Sequence, residues 1–130
     1  KNVIHLHGEL KKARSTFDDD LIMDWEGDIK PGDFCEHNRQ LRPHVVWFGE
    51  AVPMMEKAME ITAQADILII IGTSMQVYPA AGLIDFISED TPVYFIDPKP
   101  SIGGTRQLKV YAEKASVGVP KLVKELLEDN

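Results

Sequence analysis

The 130-residue sequence predicts an α/β fold, half of a doubly wound parallel sheet interrupted by an irregular insert. Three observations predict it. Ile67-Leu68-Ile69-Ile70-Ile71 is an unbroken run of β-branched residues and leucine, the pattern of a parallel strand covered on both faces. Strand-like runs and helical stripes alternate around it, which is the order that right-handed strand–helix–strand crossovers require. Residues 9–44, by contrast, are rich in Asp, Lys, Gly and Pro with few apolar anchors, as long functional or mobile loops are.

The elements follow in order. Val3-Ile4-His5-Leu6-His7 alternates as a short strand would and ends at Gly8. The irregular stretch 9–44 comes next, and Val45 to Phe48 is a second short extended run. Pro53 sits where a first helical turn tolerates proline. Met55, Ala58, Met59 and Thr62 then recur at i, i+3, i+4 and i+7 as one buried stripe. After the Ile67–Ile71 strand, Pro79 opens another helix with Leu83, Ile84 and Ile87 inward. Val93-Tyr94-Phe95-Ile96 reads as the next strand and Lys109-Val110-Tyr111 as a further one. Pro120 opens the last helix, with Val119, Leu122, Val123, Leu126 and Leu127 on one face. There is no internal repeat.

Composition narrows the function classes. A hydrophobic share of 44% supports a real core in one domain. No apolar run approaches the roughly 20 residues that a membrane-spanning helix needs, and the first residues carry no signal-peptide pattern. The single cysteine, Cys35, excludes an internal disulfide and suits a reducing, cytoplasmic setting. A net charge of −7 argues against a nucleic-acid binder held by phosphate contacts. An acidic surface suits basic, lysine-bearing partners, or solubility alone.

Two places carry candidate chemistry. Open parallel sheets bind ligands beyond the carboxyl ends of their strands, where loops and helix N-termini gather. Gly72, Thr73 and Ser74 leave the central strand there, offering close backbone approach, hydroxyls and free amides to phosphate or ribose oxygens. Asp97 ends the next strand, about where a dinucleotide fold puts its acidic ribose acceptor. A plain strand exit and a turn before Pro98 are the alternatives. The second place is His7, which precedes Gly8 and can project into a cleft as the chain turns away. Histidine suits proton transfer near neutral pH, and a structural role is its alternative. His5 shares the predicted strand face of His7, but a His-x-His metal site has no third ligand in view. His37 and His44 are expected on the surface.

Leu41-Arg42-Pro43-His44-Val45-Val46-Trp47-Phe48-Gly49-Glu50, followed by Gly72-Thr73-Ser74-Met75-Gln76-Val77-Tyr78-Pro79-Ala80-Ala81-Gly82, resembles the sirtuins, NAD-dependent protein-lysine deacylases, and within them the compact bacterial branch. The resemblance implies a Rossmann-like half-domain over 1–8 and 45–130, with 9–44 as a degenerate, zinc-ribbon-like small-domain insert. It implies NAD as cofactor and acyl-lysine proteins or peptides as partners. His7 in His7-Gly8 matches the family's general base, which helps deprotonate a ribose hydroxyl; the products are free lysine, nicotinamide and O-acyl-ADP-ribose. Gly72, Thr73 and Ser74 match the turn that meets the adenosine side of NAD. Asp97 stands where the family usually has asparagine at the adenine ribose, and Ala115 matches a late position beside adenine. Val46, Trp47, Phe48 and Gly49 match the segment that pairs with the acyl-lysine peptide, and Met75 and Val77 its opposite strand.

The family's zinc ribbon uses two Cys-x-x-Cys pairs. Here Ser15 stands near the first expected cysteine and Cys35-Glu36-His37-Asn38 replaces the second pair. Cys35 and His37 give at most two good ligands, so zinc is predicted absent. The family's Gly-Ala-Gly phosphate loop and its nicotinamide pocket have no counterpart in the chain, so these 130 residues alone are expected to be inactive and to self-associate through uncovered edges. A non-catalytic nucleotide- or peptide-binding half-Rossmann module and an ADP-ribosyltransferase stand as alternatives.

Overall fold

The computed structural model describes residues 2–104 and 107–128. The chain divides into two units, Lys1–Met54 and Met55–Asn130.

The first unit is a three-stranded antiparallel sheet in the order β2-β1-β3, with β1 at Gly8–Ser15, β2 at Ile22–Asp24 and β3 at Leu41–Val45. Two expectations are corrected here. Val3-Ile4-His5-Leu6-His7 forms no strand; the strand begins at Gly8, where the predicted one was to end. The 9–44 stretch is irregular only in part: loops fill 16–21 and 25–40, but the rest supplies most of this sheet. The lack of hydrophobic alternation hid the fact. The inward residues of β1 are the small Ala13 and Ser15, both fully buried, while its one large apolar residue, Leu10, is 90% exposed.

Ala13, Cys35 and Leu41 form the small core, flanked by Leu21, Met23, Trp25 and Ile29. Side chains close the loops around it. Ser15 Oγ accepts from the amides of Phe17 and Asp18 (3.0 and 3.3 Å), which turns the chain from β1 toward β2. Gln40 braces the long loop before β3: its Oε1 accepts from the Gly32 amide at 2.9 Å, and its Nε2 donates to the carbonyl of Lys30 at 3.0 Å.

The second unit is a three-stranded parallel sheet, β4-β5-β6, at Leu68–Ile71, Val93–Ile96 and Leu108–Tyr111. Ile71, Ile96 and Tyr111 are in register at the carboxyl edge. Both faces carry packing, as a doubly wound sheet requires. On one, Val93, Phe95 and Leu108 pack with Ile84, Ile87 and Met75. On the other, Ile96 and Tyr111 pack with Leu122 of α2, the helix Ala115–Glu128. α1, at Met55–Ala63, is amphipathic as its stripe predicts: Met55, Ala58, Met59 and Thr62 are half-buried.

Three readings change in detail. Ile67–Ile71 was expected to be covered on both faces. Instead β4 is an edge strand, with Ile69 and Ile71 40% and 45% exposed. The helix after Pro79 is a 3-10 helix, Ala80–Phe86, although Leu83, Ile84 and Ile87 are half-buried as expected. Pro120 lies inside α2 instead of opening it, and Val123 and Leu127 are exposed. The inward face runs through Gly118, Val119, Leu122 and Leu126, set by where α2 meets β5. No helix among the described residues is long and apolar enough to cross a membrane.

Gly118 fixes how closely α2 approaches the sheet. A Cβ there would sit 2.6 Å from Ile96 Cγ2, and Ile96 is fully buried. Gly118→Leu should therefore destabilise the protein by about 1–3 kcal/mol, the range for overpacking a filled site. A urea midpoint no lower than wild type would show that α2 can retreat from β5 without cost.

Candidate functional site

His7 and Gly8 form the corner that leads into β1. The Gly8 amide donates to the His5 carbonyl at 3.1 Å, and Gly8 adopts φ +85°. A Cβ at this position would lie 2.0 Å from the His44 carbonyl oxygen, so only glycine fits against β3. The His7 side chain is exposed. Its own carbonyl accepts from the Val46 amide at 3.0 Å. One backbone bond thus joins the candidate general base to the first residue of the candidate substrate segment. Beside Gly8 lies a cavity of about 190 Å³, bounded by Leu6, His44, Val46 and Met54. His44 is half-buried there, which corrects its expected surface placement; His37 is exposed as predicted.

Beyond Val46 the chain leaves the extended form, so the predicted run to Phe48 stops short: β3 ends at Val45, and Trp47–Glu50 is a turn. Gly49 has φ +89°, and the Glu50 amide donates to the Trp47 carbonyl at 3.1 Å. The Glu50 carboxylate accepts both arms of the Arg42 guanidinium, at 2.6 and 3.0 Å, and the Trp47 amide at 3.0 Å. Arg14 Nη2 stands 3.7 Å from the same carboxylate and Arg14 Nη1 2.6 Å from Asp19. The Arg42 guanidinium also lies 3.8 Å over the Trp47 ring, within cation–π range. Trp47 is 53% and Phe48 97% exposed, so both aromatic rings are presented to solvent.

The arginines here shape the titration of Glu50. The Arg42 fork holds the Glu50 carboxyl down to about 2; the Trp47 amide and the nearby arginine charges assist, and partial burial opposes. Sequence reading placed Arg42 and Glu50 within one motif but missed their pairing, and it missed Arg14 altogether. The chain between Arg42 and Glu50 is neither one helix nor one strand, so no periodicity links them.

In the second unit the candidate cofactor residues gather at one edge. Gly72 and Asp97 directly follow the in-register ends of β4 and β5, and the Gly72 amide donates to the Ile96 carbonyl at 2.9 Å. Thr73 Oγ1 accepts from the Met75 amide at 3.2 Å, and the Ser101 hydroxyl donates to the Ser74 carbonyl. Asp97 Oδ1 accepts from the Lys99 amide at 2.7 Å, so the predicted turn role is real; an ionised carboxylate keeps acceptor capacity at Oδ2. Ala115 opens α2 shortly after β6 and is exposed. Strand-end amides, hydroxyls and one carboxylate are a donor and acceptor set that fits the sugar and phosphate oxygens of a nucleotide. Met75 packs its side chain on the Val93–Phe95–Leu108 core, while Val77 is 53% exposed. The His7 and Val46–Gly49 group lies in one unit, and the Gly72–Ser74, Asp97 and Ala115 group in the other.

The residues nearest the family's zinc positions do something else. Cys35 is buried, and its Sγ donates to Ser15 Oγ at 3.4 Å. The exposed His37 sits 3.8 Å from its neighbour Glu36. Among the described residues no three His, Cys, Asp or Glu side chains gather as a metal site would need.

Residues 1–79 match the model of the Sir2 family. A protein from Aggregatibacter actinomycetemcomitans named NAD-dependent protein deacylase is 50% identical over 102 residues, 78% of this chain and 49% of its own length. One of the same name from Bacteroides thetaiotaomicron is 45% identical over 133 residues, covering 97% of this chain and 56% of that one. The crystal structure of a Sir2 homologue–NAD complex superposes with a TM-score of 0.78 at 31% identity, over 99% of this chain and 52% of that chain. The chain thus spans about half the length of the curated relatives it matches.

The Glu50 cluster makes a prediction in acid. Its folded value of about 2 lies below the ordinary 4.5, so its contribution to stability is complete above the ordinary value. That contribution is lost as pH falls from there through about 2. Glu50→Gln should flatten the fall in stability over this window, and a carboxyl NMR titration should find Glu50 still ionised at pH 3. Titration at its ordinary value would mean that the Arg42 fork does not hold in solution.

Proposed function

The chain belongs to the Sir2 family, and on that premise we propose that it forms part of an NAD-dependent protein-lysine deacylase. The enzyme removes acyl groups from lysine side chains of proteins, with release of nicotinamide and O-acyl-ADP-ribose. The observation that carries this reading is the His7–Gly8 corner bonded to Val46. A base and the start of a peptide-pairing segment are held together by backbone geometry that only glycine permits.

Residues 1–8 and 45–130 are assigned to the NAD-binding half-domain and 9–44 to the small-domain insert. NAD, when bound, supplies the ribose carbon that accepts the acyl oxygen. Gly72, Thr73, Ser74, Asp97 and Ala115 hold its adenosine side, the carboxylate of Asp97 taking the ribose hydroxyls. His7 removes a proton from a ribose hydroxyl, a step for which an exposed imidazole at a strand entrance is accessible. Val46, Trp47, Phe48 and Gly49 are assigned to the acyl-lysine peptide, as are Met75 and Val77. Main-chain pairing tolerates many sequences, which suits a modifier of many proteins. Met75 takes part through its backbone, since its side chain is committed to the core. A cytoplasmic setting follows from the same assignment, and the single cysteine suits it.

Two measurements test this. In the full-length protein, His7→Ala should lower deacylation by ~10²–10⁴-fold, the usual worth of general acid–base help, without changing the fold. A folded His7→Ala protein that keeps most of its turnover removes His7 from the mechanism. The insert is assigned no zinc, because Cys35 is engaged with Ser15 and His37 stands apart on the surface. Elemental analysis returning about one tightly held zinc per chain, as a structural site would, overturns that assignment.

A further inference from the structure

The strongest unassigned feature is the charge cluster under the Val46–Glu50 turn. Arg42 Nη1 and Nη2 grip Glu50 Oε1 and Oε2 at 2.6 and 3.0 Å, and Nη2 also donates to the Val45 carbonyl at 3.3 Å. Glu50 Oε2 in turn accepts from the Trp47 amide, and the Arg42 guanidinium covers the Trp47 ring. Arg14 adds a second cation from β1. The side chains of Arg42 and Arg14 are only 17% and 12% exposed, whereas Trp47 and Phe48 between them are open to solvent. The two guanidinium groups therefore lie mostly covered beneath the segment, with Glu50 30% exposed.

We infer that Arg42 and Glu50 are positioning residues for the acyl-lysine substrate, holding the Trp47–Glu50 turn so that the Val46–Gly49 segment meets the peptide in one fixed conformation. This rests on the proposed function, which makes Val46–Gly49 the peptide-pairing segment. Backbone pairing needs amides and carbonyls spaced in register. A free four-residue turn with a glycine has no such preference, and small misplacements of a bound group cost about a hundredfold. The Arg42 fork fixes the segment from its start: it holds the Val45 carbonyl that leads into it, the Trp47 ring and, through Glu50, the Trp47 amide. Planar, bidentate geometry is what arginine supplies and lysine does not.

The alternative is a clamp that serves folding alone, and steady-state kinetics separate the two. Loss of folded enzyme lowers the apparent kcat and leaves both KM values unchanged. Loss of positioning raises the KM for acyl peptide and leaves that for NAD. In the full-length protein, Glu50→Gln removes the charge at constant shape, and Arg42→Lys keeps the charge but removes the fork and the ring contact. Each should raise the peptide KM about tenfold, at the low end for lost charge-assisted hydrogen bonds, with the NAD KM changed by less than about threefold. If Glu50→Gln fails to fold, Arg42→Lys carries the test. Folded variants with wild-type peptide KM, or with both KM values raised equally, overturn the inference alone. A wild-type protein that turns over no acyl peptide overturns the functional reading and this inference with it.

Discussion

The carboxylate of Glu50 is the point to which the first unit is tied. One arginine reaches it from β3 and another from β1, and the amide of Trp47 reaches it from the turn it closes. Exposed ion pairs seldom contribute much to stability. This one differs in geometry: the Arg42 contact is bidentate and the partners are mostly covered, with Glu50 30% exposed. Its main consequence is conformational. Together with the Val46–His7 backbone bond, it sets the direction in which the chain leaves β3.

That dependence follows from how little core the unit has. Ala13, Cys35 and Leu41 are its only buried apolar residues among those described, and Leu41 is the one large side chain of the three. Burial at roughly 25 cal/mol per Å² cannot order a sheet of this size when so few large side chains are hidden. Polar closures take over the work. Ser15 caps its own turn and meets Cys35, and Gln40 ties residues on both sides of the long loop.

The parallel sheet was legible in the sequence because its strands are nearly continuous apolar runs; β5 appeared with its boundaries intact and β4 one residue short at its start. The antiparallel sheet was not, and β1 shows why. Its buried positions hold Ala13 and Ser15, its exposed ones hold Leu10, and the intervening charges interact across the surface. Periodicity detects large apolar side chains, so a strand that buries small ones reads as loop. The same reasoning covers Pro120, a residue that marks helix starts statistically but here lies five residues inside α2. Its missing amide deprives only the Ser116 carbonyl of a partner near the exposed helix start.

The candidate site divides along the same line. Its motif residues could be found because they lie close together in sequence: His7 beside Gly8, Gly72 beside Thr73 and Ser74. What the motif letters did not disclose is that several act through the main chain. Gly8 is required by the His44 carbonyl pressed against it, and Gly49 by the turn that Glu50 closes. Asp97 spends one oxygen on the Lys99 amide and so arrives at the sheet edge already oriented. Backbone constraints of this kind leave a trace only as a glycine or an acidic residue at a strand end, each common for other reasons. Their meaning comes from the partner across the chain, and the Arg42 fork is the case where that partner is a side chain eight residues away.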